Sequence, residues 1–525
     1  MSEENAINKN SLKNIKSKYF VAFIFSFLSE KRKLEIIKYN KNLQNILNIK
    51  LINYKFYSGK SIIYELNGKA KEYNEVEDFI EFEGEYLNGK RNGKGKEYYD
   101  DCHKIIFEGE YKNGLRWNGK GYDNNNNVVY ELKNGNGYVK EYYSNGKLEF
   151  EVEYLNGNKH GKIEEYYSDG NMEFEGEYFN GYRNGKGREY NYDGNLEFEG
   201  EFFYGKRWNG KGYDNNNNIV YELKNGNGYV KEYFSDDNLL FECEYLNGKR
   251  NGKGKEYDFD GNLKFEGEYF YGKKWNGNGY DESNNIIYEL KNGKGYVKEY
   301  NENGNLEFEG DYLNGEKNGK VREYDYDGNL EFEGEYINGL KNGKGKEYNK
   351  DGHLIFEGEY LYNDKLRGKY YINGKLEYEG EYLYNKKWNG KGYDENGNII
   401  YELINGNGKV KEFDNYSKKL KFEGEYLNGQ KNGSGKEYNK LRNLIFKGEY
   451  KNGLKWNGIG YSKYGEKVYE LNNGKGYVKE YNYYLNLVFE GEYVNGQKNG
   501  KGKEYDWNGT VKFEGDYLNG NKVFK

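Results

Sequence analysis

Phe82-Glu83-Gly84-Glu85-Tyr86-Leu87-Asn88-Gly89-Lys90-Arg91-Asn92-Gly93-Lys94-Gly95-Lys96-Glu97-Tyr98 is the stretch whose reading decides the fold. Phe82, Gly84 and Tyr86 alternate with Glu83, Glu85 and Leu87, as in a strand with one apolar face. Asn88-Gly89 and Asn92-Gly93 are turn signals, because both residue types accept positive φ. Gly93 to Tyr98 then reads as a return strand. Gly93, Gly95 and Glu97 share one face, and Lys94, Lys96 and Tyr98 the other. A bulge near Lys96 would turn Tyr98 inward, and the spacing leaves both arrangements open.

Variants of this stretch start fifteen times, at Phe82, Phe107, Phe150, Phe174, Phe198, Phe241, Phe265, Phe308, Phe332, Phe356, Tyr378, Phe422, Phe446, Phe489 and Phe513. Many starts are 24 residues apart, as from Phe174 to Phe198, and others are 43 or 44 apart. Each long interval contains Trp-Asn-Gly, at Trp117, Trp208, Trp275, Trp388 and Trp456. A shortened hairpin is expected to follow each Trp, the first being Tyr130 to Tyr142. Tyr64 to Tyr73 has the same short form, so the array should begin near residue 53 and hold about 21 hairpins. A lone hairpin is unstable in water, and stacking lets the aromatics of one cover the glycines of the next.

The expected fold is mostly β: an elongated, single-layer repeat array of antiparallel β-hairpins over residues 53–525, behind a small α-helical cap over residues 1–52. About 42 strands at ~4.8 Å spacing would run on the order of 200 Å. Outward Glu83 and Glu85 should lie beside outward Lys94 and Lys96, each pair contributing about 0.2–1 kcal/mol. The last unit lacks a full return strand, which would place Phe513 and Tyr517 at an open edge suited to pairing with another chain.

Composition agrees with a repeat array. Aromatics make up 18% of the 525 residues, and 63 of them are Tyr. The 81 cationic side chains nearly balance 87 anionic ones, which argues against a nucleic-acid partner. There is no Pro, and Ala6, Ala22 and Ala70 are the only alanines, while 74 Gly remain. That bias points to an AT-rich genome, such as that of a protist or a giant virus, in which the glycines are structurally required. Cys102 and Cys243 form no metal-ligand pattern. The longest apolar run, Phe20 to Leu28, is shorter than the ~20 residues that span a bilayer. The expected location is cytoplasmic, or peripheral to a membrane.

In the N-terminal segment a first helix is expected from about Ile15 to Leu28. Ser29 would cap a second helix, with Glu30 in its first turn and Leu34, Ile36 and Ile37 as its apolar stripe. Leu43, Ile46 and Leu47 continue at helical spacing.

The repeat resembles the MORN repeat (membrane occupation and recognition nexus), roughly Tyr-x-Gly-Glu-Trp-x-x-Gly-x-x-x-Gly-x-Gly. Phe82 stands for the first Tyr and Tyr86 for the Trp; the match recurs over most of the chain. The resemblance implies a non-catalytic scaffold for protein partners, with a homodimer through the array or its terminal edge as one form. Ile24-Phe25-Ser26-Phe27-Leu28 is similar to the Ile-Phe-Ser-Tyr-Leu core of the F-box. That family's Leu-Pro opening and Cys-Lys/Arg-Trp ending are absent. This second resemblance implies an alternative role, a substrate adaptor of a cullin ubiquitin ligase, with Ile24, Phe25, Phe27 and Leu28 on a Skp-type adaptor. A cap that seals the first repeat is the simpler reading of the same residues.

No catalytic constellation, metal set or cofactor is expected. His103, His160 and His353 fall in unrelated contexts, and Gly-Lys-Gly-Lys lacks the Ser/Thr and helix of a phosphate loop. Direct phosphoinositide or other lipid binding is disfavoured, since the lysines alternate with glutamates. The five Trp are candidate interaction residues, and also natural fillers where the hairpin period changes.

Overall fold

The computed structural model describes residues 21–525, apart from 22, 23, 26, 27, 66, 67, 75–78, 100–103, 144, 235, 236, 302, 415–418, 463, 482–485, 519, 524 and 525. It contains three described helices, α1 (Glu30–Ile37), α2 (Lys41–Ile46) and α3 (Leu51–Ser58), then forty-two strands, β1 (Lys60–Tyr64) to β42 (Asn521–Val523). Ser29 Oγ accepts the Arg32 N–H at 3.4 Å, and Asn40 Oδ1 accepts the Leu43 N–H at 3.1 Å, so a capping side chain starts each of α1 and α2. Gly59, in the left-handed region, ends α3. Val21, Phe25, Ile37 and Leu43 form the core of this segment, with Leu28, Ile46, Leu47 and Ile49 around it. The helical segment therefore runs to Ser58, and the first strand begins at Lys60, later than the boundary read near residue 53. Asn53 and Phe56 are buried in α3, about two turns of helix that the repeat pattern did not reveal.

The strands group into six antiparallel sheets, and none of them closes into a barrel. The chain divides into two compact units, residues 1–328 with 336–340, and residues 329–335 with 341–525. The first unit holds whole sheets of seven, eight and six strands, and the second holds whole sheets of six and five.

The repeating hairpin is seen in β3 (Phe79–Leu87) and β4 (Lys90–Tyr99). Asn88 and Gly89 both have positive φ, +52° and +73°, as a type I′ turn demands. Asn92-Gly93 is not a turn. Gly84 pairs with Gly95 and Tyr86 with Arg91, so Asn92, Gly93 and Lys94 bulge opposite the single residue Glu85. A second register shift falls at Glu97 and Tyr98, but Tyr98 stays on the outer face, where its hydroxyl donates to Glu83. Glu97 is the residue that turns inward.

The inner face repeats one packing unit. The Phe82 ring lies flat on the backbone of two strands: a Cβ at Gly95 would come within 2.3 Å of the ring, and one at Gly84 within 2.7 Å. Glycine is required there by close approach. The Arg91 guanidinium then covers the ring at 4.4 Å. The same cation-on-ring contact recurs at a spacing of nine residues in all fifteen units, at 3.5–5.5 Å, from Arg91 on Phe82 to Lys522 on Phe513. Nearly all of these cations are shared with inward glutamates. Arg91 pairs with Glu72 at 3.0 Å and with Glu97, and Arg183 pairs with Glu165 at 2.9 Å and Glu189 at 2.7 Å. Tyr hydroxyls cap these carboxylates, as Tyr178 does on Glu165 at 2.9 Å. Burial pushes the Glu72 carboxyl up. Arg91 beside it and the Tyr86 hydroxyl outweigh that and hold it at about 2.

The Trp-marked intervals are corners, not shortened hairpins. β6 (Leu115–Tyr122) pairs with β7 (Val128–Leu132), and β8 (Gly137–Tyr142) pairs with β9 (Leu148–Leu155). Between β7 and β8 only Lys133 and Asn136 are bridged, and the two strands belong to different sheets. All five intervals are built this way.

Candidate interaction surfaces

The corner explains the Trp. Trp117 O accepts the Gly135 N–H at 2.6 Å, and Gly135 O accepts the Gly157 N–H of the next hairpin at 2.8 Å. A Cβ on Gly135 would lie 2.8 Å from the Trp117 ring. Leu132 and Val139, one from each diverging strand, are buried beneath. The Trp carbonyl repeats the bond to the corner glycine at Trp208, Trp275, Trp388 and Trp456, at 2.7–2.8 Å. All five rings are half-buried. Phe203 covers Trp208 and Phe270 covers Trp275, while Lys112 and Lys451 cover Trp117 and Trp456. The five Trp thus build the corners and are only partly exposed.

The other residues singled out in the sequence are also largely committed to structure. Phe25 is 2% exposed in the helical core, Leu28 packs against that core, and Ile24 is half-buried; Phe27 lies outside the described residues. At the C-terminal end, β41 (Val511–Leu518) has a partner after all, since β42 covers residues 516–518. Tyr517 is not on an open edge: it is 4% exposed, edge-on to Phe489 at 5.2 Å. Phe513 is half-buried under Lys522, and among the described residues β42 pairs with β41 from Asp516 to Leu518. His160 sits within a strand beside Phe179, and His353 follows a turn glycine. Cys243 is buried, and burial pushes its thiol up to about 12; Cys102 and His103 lie outside the described residues.

What the sheets offer outward is a polar face. On the eight-stranded sheet of the first unit it forms a trough of about 570 Å³. Two cross-strand rows floor it. One runs Glu151–Glu164–Glu175–Arg188–Glu199 through directly paired residues. The other holds Lys162 paired with Glu177 and Lys186 paired with Glu201. Beyond Glu177 and Glu201, the same outward alternation reaches Phe179 and Phe203 at the hairpin tips. Both are exposed, as are Tyr182 and Tyr204 beside them. Among the described residues, no group of three or more His, Cys, Asp or Glu side chains is arranged to hold a metal ion. Likewise no described helix is long and apolar enough to cross a membrane.

Seven segments match the MORN repeat family: residues 82–101, 107–118, 174–196, 242–263, 332–354, 422–439 and 489–511. With their hairpin geometry, they make the chain a MORN-repeat protein. No curated protein matches it. Among solved structures, the crystal structure of TcdB2-TccC3-Cdc42 is 10% identical over 86% of this chain and 30% of that chain, with a TM-score of 0.12. A protein of unknown function from Bacteroides caccae is 11% identical over 50% of this chain and 88% of that chain, with a TM-score of 0.15. The chain thus spans about a third of the length of the first structures it matches, and superpositions this poor define no common fold.

Proposed function

We propose that the chain is a non-catalytic scaffold that binds protein partners on the outer faces of its hairpin sheets. One observation carries this reading. The buried aromatics, cations and carboxylates are consumed in a repeated packing unit, whereas the outer face carries a broad trough edged by exposed rings. Exposed aromatic anchors beside a polar floor are the usual makings of a binding surface. The adaptor reading draws less support, because Phe25 and Leu28 are spent on the helical core. Capture of partners by the full chain and by a chain lacking residues 1–58 tests the proposal. A scaffold keeps its partners after truncation. Loss of every partner, with a Skp-type adaptor among them, would favour the adaptor role instead.

A further inference from the structure

The row across the trough contains an error in its own pattern. In the eight other full return strands, the residue opposite the outer Glu is a cation: Lys96, Arg188, Lys255, Arg322, Lys346, Lys369, Lys436 and Lys503. In β10 (Asn158–Tyr166) the same place holds Glu164. Glu164 is directly opposite Glu151 on one side and Glu175 on the other, so three carboxylates stand side by side on adjacent strands. Like charges directly opposite destabilise a sheet. The outer two have cations, Lys140 on Glu151 at 2.5 Å and Arg188 on Glu175 at 3.3 Å. Among the described residues, Glu164 receives only the neutral Tyr166 hydroxyl, at 2.6 Å. The trough floor as a whole carries six carboxylates against three cations.

We propose that this trough is the docking site for an extended, Lys/Arg-rich segment of a partner protein, with one cationic side chain taking the vacant cation's place above Glu164. The proposal rests on the scaffold reading and names its partner class. Charge complementarity selects the occupant. An anionic lipid surface or nucleic acid would meet net negative charge, and a metal ion finds no convergent ligand set. A peptide matches the remaining features. Its cations can be spaced along the carboxylate rows, and the exposed rings of Phe179 and Phe203 can cover their aliphatic stems. Such a site costs the free array stability at Glu164 and regains it on binding.

The test uses the full chain and a fluorescein-labelled twelve-residue peptide of alternating Lys and Ala, with a Glu/Ala peptide and phosphatidylserine vesicles as comparisons. Fluorescence polarisation should show saturable, salt-sensitive binding of the Lys peptide alone. Glu164→Lys restores the alternation, so it should keep or raise the melting temperature while weakening the peptide at least about tenfold. Glu357→Lys, at an outer-face Glu of the second unit, should leave affinity unchanged. Equal weakening by both substitutions overturns the site. So does binding of both peptides alike, binding of neither, or recovery with vesicles alone. Partner capture that survives Glu164→Lys, with no Lys-peptide binding, would remove this site and leave the scaffold reading standing.

Discussion

Replacing Phe174 with Ala should melt part of one sheet and leave distant ones untouched. The Phe174 ring is fully buried and lies on Gly176 and Gly187, where a Cβ at either position would come within 2.6 Å of it. It meets Phe202 edge-on at 5.1 Å and carries the Arg183 guanidinium at 4.2 Å. Losing a buried Phe costs about 3–5 kcal/mol. Here the two flanking glycines have no side chain to fill the space, and Arg183 loses the ring beneath it. In a repeat array the contacts are between neighbours, so the loss stays local. At ~1.4 kcal/mol per factor of ten, amide protection over residues 158–203 should fall roughly a hundred- to several-thousand-fold. Hydrogen exchange read by mass spectrometry measures this strand by strand. A comparable fall over residues 408–471, in the second unit, would refute the nearest-neighbour account. A local loss under about 1 kcal/mol would refute the role given to the ring.

Three further outcomes follow from the same geometry. Gly187→Val would drive methyl groups into the Phe174 ring and should destabilise β12 (Tyr182–Tyr190) by about 1–3 kcal/mol or more, seen in the same exchange experiment. Glu72 is held at about 2, below its ordinary 4.5, so its stabilising share is complete above pH 4.5 and is lost as pH falls towards 2. In acid titrations Glu72→Gln should flatten that loss in the first hairpins, and an unchanged profile would remove Glu72 as its source. In a Cys102→Ser chain, Cys243 is buried and neutral at pH 8, so a thiol reagent should label it only after denaturation; rapid native labelling would contradict its burial.

Much of the array was legible from alternation alone, because a period of two fixes faces and Asn-Gly fixes tips. Phe82, Gly84 and Tyr86 face inward as read, and Glu83 pairs with Lys96. Local spacing did not carry what depends on partners. Asn92-Gly93 has the composition of a turn, yet the strand continues through it as a bulge under Glu85. Glu97 looks like a surface residue until Arg91 and Arg116 are seen beside it. The corners were hidden because Lys133 to Asn136 has the chemistry of a hairpin turn; the Trp117 carbonyl and Gly157 draw the two strands into separate sheets. Glu164 did leave a signal. It is the one acidic residue at a position otherwise held by Lys or Arg in the full return strands, visible once the repeats are aligned.

Disulfide trapping at the first corner tests the architecture most directly, in a chain with Cys102 and Cys243 replaced by Ser. Lys120 is paired with Glu131 across β6 and β7, whereas Val129 and Lys140 would be opposite only if β7 and β8 formed a hairpin. The structure predicts that Lys120→Cys with Glu131→Cys cross-links on mild oxidation and that Val129→Cys with Lys140→Cys does not. Efficient cross-linking of the second pair, with the first left reduced, would contradict the division into sheets at Trp-marked corners.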